Sequence, residues 1–295
     1  MRVYIELPVE SRGLQRVRDA LEEYSPANIQ IVPDIAQCDL AVIHVYGRNT
    51  SVQKQIASLE KAGKQYAMIQ YVIRSSMRPN TKDWIKMWMG AKVVWSYYDL
   101  AQLIEEDYGE RPRNLPFRFY HAPLGTNFDI FNGNALKKYI IAAGSQNYLS
   151  ESAKECVVAT KETGNLMFYL GKELNRGSEI ICKTDISDEE LASYYRQSTF
   201  VSGLRRKEGF ELPALEGLMC GARPILFDRP EHRRWFQDLA IFIPEEPREK
   251  VIENLKGIFE FSKALPPTVT EQEKTIAMMR FNWQTIMEGF WSRVI

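Results

Sequence analysis

Two glutamates, Glu208 and Glu216, flank a Gly-Phe-Glu-Leu-Pro turn in the stretch KEGFELPALEGLMCGARP, residues 207–224. TFVSG (199–203) just before it reads as a strand, and LRRKEGFE (204–211) as the loop leaving its carboxyl end. Pro213 suits the first turn of a helix, where its missing N–H costs no bond, and Gly221 suits the C-terminal cap. The N-terminus of such a helix gathers free N–H groups and the positive end of the dipole, an anion site. Gly209 lets a ligand come close to the backbone. Carboxylates are poor phosphate ligands but good acceptors for the vicinal hydroxyls of a ribose or a hexose. The combination points to a sugar nucleotide, with phosphate on the N–H groups and one carboxylate for each sugar. The same residues also make an ordinary strand, loop and helix unit, in which early glutamates simply favour the helix dipole.

The elements that must position this turn follow from periodicity. Apolar runs at 1–7, 38–47, 65–73, 91–97 and 117–125 read as strands, and 13–24, 52–63 and 99–109 as helices. TNFDIFNGN (126–134) is polar and rich in Asn and Gly, a linker. Alternation then resumes, with strands at 137–144, 165–171, 178–184, 199–203, 223–228 and 239–244. Helices are expected at 150–164, 187–197, 212–221, after 230, over about 247–262, and as one closing helix over 271–294. Ser187 and Glu190 have the spacing of a capping box. Trp84, Met87, Trp88 and Met89 in DWIKMWMG form an apolar stripe, usually core and alternatively a membrane or partner contact. The pattern is that of two open α/β domains with parallel sheets, whose ligands sit beyond the carboxyl ends of the strands, in the cleft between domains.

Bulk properties narrow the class. The 295 residues suit two ordinary domains, and 45% hydrophobic with 26% charged residues is a globular mix. Lys plus Arg and Asp plus Glu both number 38, so no global field favours nucleic acid or a membrane. Cys38, Cys156, Cys182 and Cys220 are scattered without metal spacing and read as buried small hydrophobes in a reducing compartment. No apolar run approaches the roughly 20 residues of a membrane span, and the N-terminus turns polar early, so a soluble cytoplasmic protein is expected.

The run EGFELPALEGLMCGARPIL resembles the signature of retaining GT-B glycosyltransferases of the large sucrose-synthase/mannosyltransferase-like family. That signature usually runs E-G-F-G-L-P-x-x-E-A-M-A-C-G-x-P-V-I. DISDEELASYYRQSTFVSG, HAPLGTNFDIF, GLQRVRDAL and FNWQTIMEGF are similar, in order, to four further family segments, so the resemblance covers nearly the whole chain. It implies an α/β GT-B fold of two Rossmann-like domains facing a cleft. Residues 1–128 would bind the acceptor and 129–274 the nucleotide sugar, with a helix at 275–295 crossing back to the first domain.

The resemblance also implies roles. Glu208 contacts the hydroxyls of the transferred sugar as the catalytic glutamate, and Glu216 grips the ribose. Gly209, Phe210, Glu211 and Leu212 face sugar and diphosphate. Thr184 either lines the base pocket or only leads into the capping box. Transfer proceeds with retention, from a UDP- or GDP-sugar co-substrate and without a metal; no D-x-D is present to hold one. Glu211 departs from the commoner glycine. The family's diphosphate-binding Arg and Lys follow the first strand of the second domain, whereas AAGSQNYLSESAK offers only Lys154. Arg205, Arg206 and Lys207 are candidates to take over part of that charge, or form a solvated basic loop. In the first domain, Arg12 and Gly13 are candidates to meet the acceptor or a phosphate. His44 is a candidate for the cleft lining, although a lone strand histidine is more often a satisfied core residue. The acceptor classes are a glycan, a lipid-linked sugar, a protein, a small molecule or a hydroxymethylated DNA base. The alternative is a sugar-nucleotide binder without catalysis. A pyridoxal phosphorylase is disfavoured, because no lysine motif for that cofactor is found.

Overall fold

The computed structural model describes residues 1–6, 12–45, 50–73, 81–108, 119–144, 152–172, 177–206 and 209–295. The chain divides into two compact units, Met1–Gly125 with Asn282–Ile295, and Thr126–Phe281.

Unit 1 begins with β1 (Arg2–Ile5), α1 (Arg12–Glu23), β2 (Gln30–Ile31), β3 (Leu40–Val45) and α2 (Thr50–Lys61). It continues through β4 (Gln65–Gln70), α3 (Thr81–Met89), β5 (Val94–Ser96), α4 (Leu100–Tyr108) and β6 (Phe119–His121). The strands form one parallel sheet in the order β2-β1-β3-β4-β5-β6. Every residue of β3 is buried, as expected of a strand covered on both faces. Two elements were not expected from periodicity. The strand β2 is only two residues long. The helix α3 turns the Trp/Met stripe inward: Trp84, Met87 and Trp88 are buried, and Trp84 stacks on Trp88 at 6.1 Å, while Met89 is exposed. Three or four residues separate these side chains, the spacing of one helical face.

Unit 2 runs β7 (Tyr139–Gly144), α5 (Ala153–Glu162), β8 (Met167–Leu170), β9 (Ile180–Lys183), α6 (Asp188–Arg196) and β10 (Ser198–Gly203). It goes on with α7 (Leu212–Met219), β11 (Arg223–Phe227), α8 (Pro230–Phe236), β12 (Ile241–Ile243), α9 (Arg248–Ala264) and α10 (Glu271–Arg280). Its six strands are also parallel, in the order β12-β11-β10-β7-β8-β9. The chain walks outward from β7 to β9, then returns to the other side of β7 and walks out to β12. The order therefore reverses between β7 and β10, which makes a topological switch point. In unit 1 the same reversal falls between β1 and β3.

The single closing helix expected from the sequence is two. After α10 the chain breaks at Phe281 and Asn282, and α11 (Trp283–Val294) follows. Asn282 is the cause on the polar side: its side chain accepts the N–H of Thr285 at 3.0 Å, which caps a new helix. Phe281 is the cause on the apolar side, fully buried against Phe236 at 5.4 Å and Phe210 at 5.7 Å. The helix α11 packs in unit 1, where Phe290 lies 5.8 Å from Trp95 and Tyr120 donates its hydroxyl to Ile286 O at 2.8 Å. The capping side chain of Ser187 accepts the Glu190 N–H at 3.2 Å, and the complete reciprocal box forms at α10, between Thr270 and Glu273. Among the described residues no helix is long and apolar enough to cross a membrane.

Replacing the cap, Asn282→Ala, is expected to cost about 1 kcal/mol of stability. Urea denaturation reads this directly, and an unchanged midpoint would show that burial of Phe281 alone sets the break.

Candidate functional site

The site is built where β10 delivers its loop to α7, beside the point at which the strand order of unit 2 reverses. The strand β10 is buried along most of its length, so its carboxyl end is the first place where side chains can serve a ligand. Leu204 is fully buried and fixes the start of the loop. The turn then brings Gly209, Phe210 and Glu211 to the head of α7, with Pro213 in the first turn as its missing N–H allows.

Each motif side chain has a distinct placement. Phe210 is 3% exposed and lies 5.3 Å from Phe236, so its ring belongs to the core and its backbone is what remains for a ligand. Glu211 is the N-cap of α7, yet its side chain makes no capping bond. Its carboxylate is fully buried, and Arg205 Nε stands 3.1 Å from Oε2. Breaking a buried pair of this kind by removing one partner typically costs about 3–5 kcal/mol, so Arg205 is tied to Glu211. Leu212 is half-buried. Glu216 sits inside α7 at 1% exposure. Lys207 and Glu208 lie outside the described residues. Thr184 is exposed just past the end of β9, followed by Asp185 at φ 52°.

Close approach of α7 to β10 depends on a glycine. A Cβ at Gly217 would fall well inside contact distance of the Val201 side chain, so only glycine lets the helix lie this near the strand. Gly203 at the end of β10 is similar, with Leu226 and the Glu211 Cγ in the way of any side chain.

Sequence reasoning did not reach a network of charged groups at the same edge. Arg206 stacks over Phe227 at 4.9 Å, donates to Glu246 O at 3.3 Å and faces Glu155 and Glu245, each at 3.6 Å. Arg229 binds Glu245 at 2.6 Å and donates to Arg206 O at 2.7 Å. These residues come from α5 and from the loops after β10, β11 and β12. Nothing in the sequence pairs positions so far apart; the only available signal was the parallel-sheet rule that gathers such loops at one edge.

In unit 1, Arg12 is exposed and Gly13 half-buried at the head of α1. His44 is 1% exposed near the end of β3. Its Nδ1 lies 3.0 Å from the Tyr71 hydroxyl, and its backbone N–H is taken by the Glu6 carboxylate at 2.8 Å. Burial, with a smaller contribution from the Arg18 charge, lowers its pKa to about 3. Burial likewise raises the Tyr71 phenol well above its ordinary range, so the phenol keeps its proton. His44 is thus a neutral imidazole held by a phenol.

Two outcomes test these placements. Gly217→Ala is expected to destabilise by about 1–3 kcal/mol despite the helix propensity of alanine, because the methyl overpacks Val201; a gain in melting temperature would mean that α7 can shift off β10 freely. For His44, the unfolded chain takes up a proton below about pH 6.5 that the folded chain refuses until about pH 3. Stability should therefore fall with pH across that window, with a slope approaching about 1.4 kcal/mol per pH unit from this one group. Unfolding at pH 7 and at pH 5 should show a smaller acid loss in His44→Phe than in the parent chain; equal losses would show that His44 takes up its proton while folded.

No family model matches the sequence, and no curated protein matches it. Solved structures are similar over most or nearly all of the chain. Sucrose-phosphate synthase from Thermosynechococcus elongatus superimposes with a TM-score of 0.72 at 11% identity, covering 99% of this chain and 97% of that one. Alr3699/HepE from Anabaena, in complex with UDP and glucose, gives 0.72 at 8% identity, covering 99% and 98%. The pneumococcal O-GlcNAc transferase GtfA, in complex with UDP and GlcNAc, gives 0.65 at 13% identity, covering 86% of this chain and 56% of that one. At such identities the likeness is one of architecture, and with its two six-stranded parallel sheets the chain has the GT-B fold.

Proposed function

We propose that the protein is a glycosyltransferase that moves a sugar from a nucleotide-sugar donor to an acceptor hydroxyl with retention of configuration. The observation that carries this reading is the turn after β10. Gly209 and Phe210 lie between β10 and α7, and buried Glu216 lies within α7, the helix that follows the carboxyl end of β10 beside the switch point. Structures of this fold include glycosyltransferases, and those of GtfA and HepE contain UDP with a sugar. In this chain Glu216 would accept from the ribose hydroxyls. Glu208 would accept from hydroxyls of the transferred sugar and steady the positive charge that grows on its ring. The N–H groups at the head of α7, with Arg205 and Lys207, would receive the diphosphate. The bond from the anomeric carbon to the diphosphate oxygen breaks, and its electron pair leaves with the diphosphate. The acceptor oxygen then bonds to the same face of that carbon, and its proton passes to the departing diphosphate oxygen on that face. Fixed charge does this work in the proposal, without a metal. The acceptor is a glycan, a lipid-linked sugar or a hydroxymethylated base. Unit 1 would receive it, with Arg12 and Gly13 at its surface.

A second reading is a sugar-nucleotide binder without turnover. It draws on the Arg205–Glu211 pair, which occupies one of the few cations near the turn.

Release of nucleoside diphosphate from UDP-, GDP-, ADP- and dTDP-sugars separates the two. One donor is expected to turn over, and Glu208→Ala should slow it by about 10²-fold or more while leaving the thermal melt unchanged. A fully active Glu208→Ala takes that glutamate out of the site. Binding of a donor without turnover supports the binder, and no binding of any donor removes both readings.

A further inference from the structure

The loop between β10 and α7 is anchored on each side of Lys207 and Glu208. On the far side, Glu211 is the N-cap of α7 and pairs with Arg205 at 3.1 Å. On the near side, Arg206 is held at both its main chain and its side chain. Its carbonyl accepts Arg229 Nη2 at 2.7 Å. Its guanidinium lies 4.9 Å from the centre of the Phe227 ring and donates to Glu246 O at 3.3 Å. The same guanidinium faces Glu245 Oε1 and Glu155 Oε1, each at 3.6 Å. Glu245 Oε2 in turn takes Arg229 Nη2 at 2.6 Å and Nε at 2.7 Å. The contacts close a ring that runs from the Arg206 carbonyl through Arg229 and Glu245 back to the Arg206 guanidinium. Its members come from the loops after β10, β11 and β12, which are neighbours in the sheet, so adjacent strand ends set its spacing.

The Arg229 side chain is only 11% exposed. A guanidinium so far out of water is costly unless its donors are met. Here Nε is committed to Glu245, and Nη2 to Glu245 and a main-chain carbonyl. That carbonyl belongs to a half-buried loop residue and could take its bond from water with little net loss. What the arginine adds is a fixed main chain at Arg206. Only Lys207 and Glu208 separate Arg206 from Gly209. Successive Cα atoms stand about 3.8 Å apart, so the position of Arg206 limits where a carboxylate at 208 can reach. An error of about 1 Å at a reacting centre is enough to slow a reaction by about 10²-fold.

We propose that Arg229 and Glu245 are positioning residues for the transfer step. They hold the Arg206 main chain so that Glu208 meets the transferred sugar as positive charge grows on its ring. This rests on the reading of Glu208 as the glutamate that contacts that sugar.

Steady-state release of nucleoside diphosphate by the full chain tests this, with the donor that it turns over. Arg229→Gln should lower kcat by about tenfold or more while donor KM stays within about twofold. Calorimetric affinity for the matching nucleoside diphosphate should not change. Glu245→Gln should lower kcat in the same sense. Arg229→Lys should recover part of the rate, because an ammonium can serve one of the two acceptors but lacks the fork that meets both. Coupling to Glu208 is the readout that a merely structural role would not move. In a Glu208→Ala chain, Arg229→Gln should change the rate by less than about twofold. The same proportionate loss in both backgrounds overturns the proposal, since Arg229 would then act by another route. A wild-type kcat in both Arg229→Gln and Glu245→Gln overturns it too, while leaving the transferase reading intact. If Arg229→Gln does not fold, Arg229→Lys and Glu245→Gln carry the same comparison in both backgrounds. Absence of turnover in the unaltered chain would instead remove the transferase reading, and this proposal with it.

Discussion

Burial of both faces of two parallel sheets is the constraint on which the rest depends. A parallel strand needs a crossover, the crossover covers a face, and covered faces leave only the strand ends for chemistry. In unit 2 the candidate groups accordingly lie in the loops after the strands or in the helices that follow them. Groups far apart in the chain, such as Glu155, Arg206 and Glu245, meet there because the sheet order permits nothing else. The glycines at 203 and 217 serve the same constraint, since they let the loop and α7 close down on β10.

Much of this was legible in the sequence, for identifiable reasons. Strands such as Leu40–Val45 and Ser198–Gly203 are continuous apolar or small-residue runs, which mark strands buried on both faces. The head of α7 was marked by Pro213 and its end by Gly221, whose φ of 77° suits glycine. The order of the elements gave two open α/β domains, and the GT-B architecture was implied by the resemblance of the glutamate turn and four further segments to a known family. What was not legible depended on tertiary contacts. The break between α10 and α11 is hidden in a continuous helical pattern, because the contacts that accompany it, the Asn282 cap and the packing of Phe281 against Phe210 and Phe236, are not marked by periodicity. The commitment of Arg205 to Glu211 was likewise invisible, although the residues are only a loop apart, since nothing local says that the Glu211 side chain turns inward.

The carboxylates divide by burial. Glu155, Glu211 and Glu216 are buried to within about a hundredth of full burial, a costly state for an ionised group. For Glu155 and Glu211 the compensating charge is an arginine from the loop after β10. That loop therefore neutralises the site as well as shaping it. His44 in unit 1 solves a related problem by losing its charge instead.

The turn at Phe281 and Asn282 has a consequence for biosynthesis. Unit 2 is a continuous stretch, Thr126–Phe281, whereas unit 1 combines Met1–Gly125 with Asn282–Ile295. During synthesis the first sheet emerges early but lacks Trp283, Phe290 and the rest of α11, which cover Trp95 and Tyr120. The second unit has all its residues before the first has its last helix. The usual order, in which the unit that emerges first is also finished first, is inverted here, and Asn282–Ile295 closes the earlier-made half.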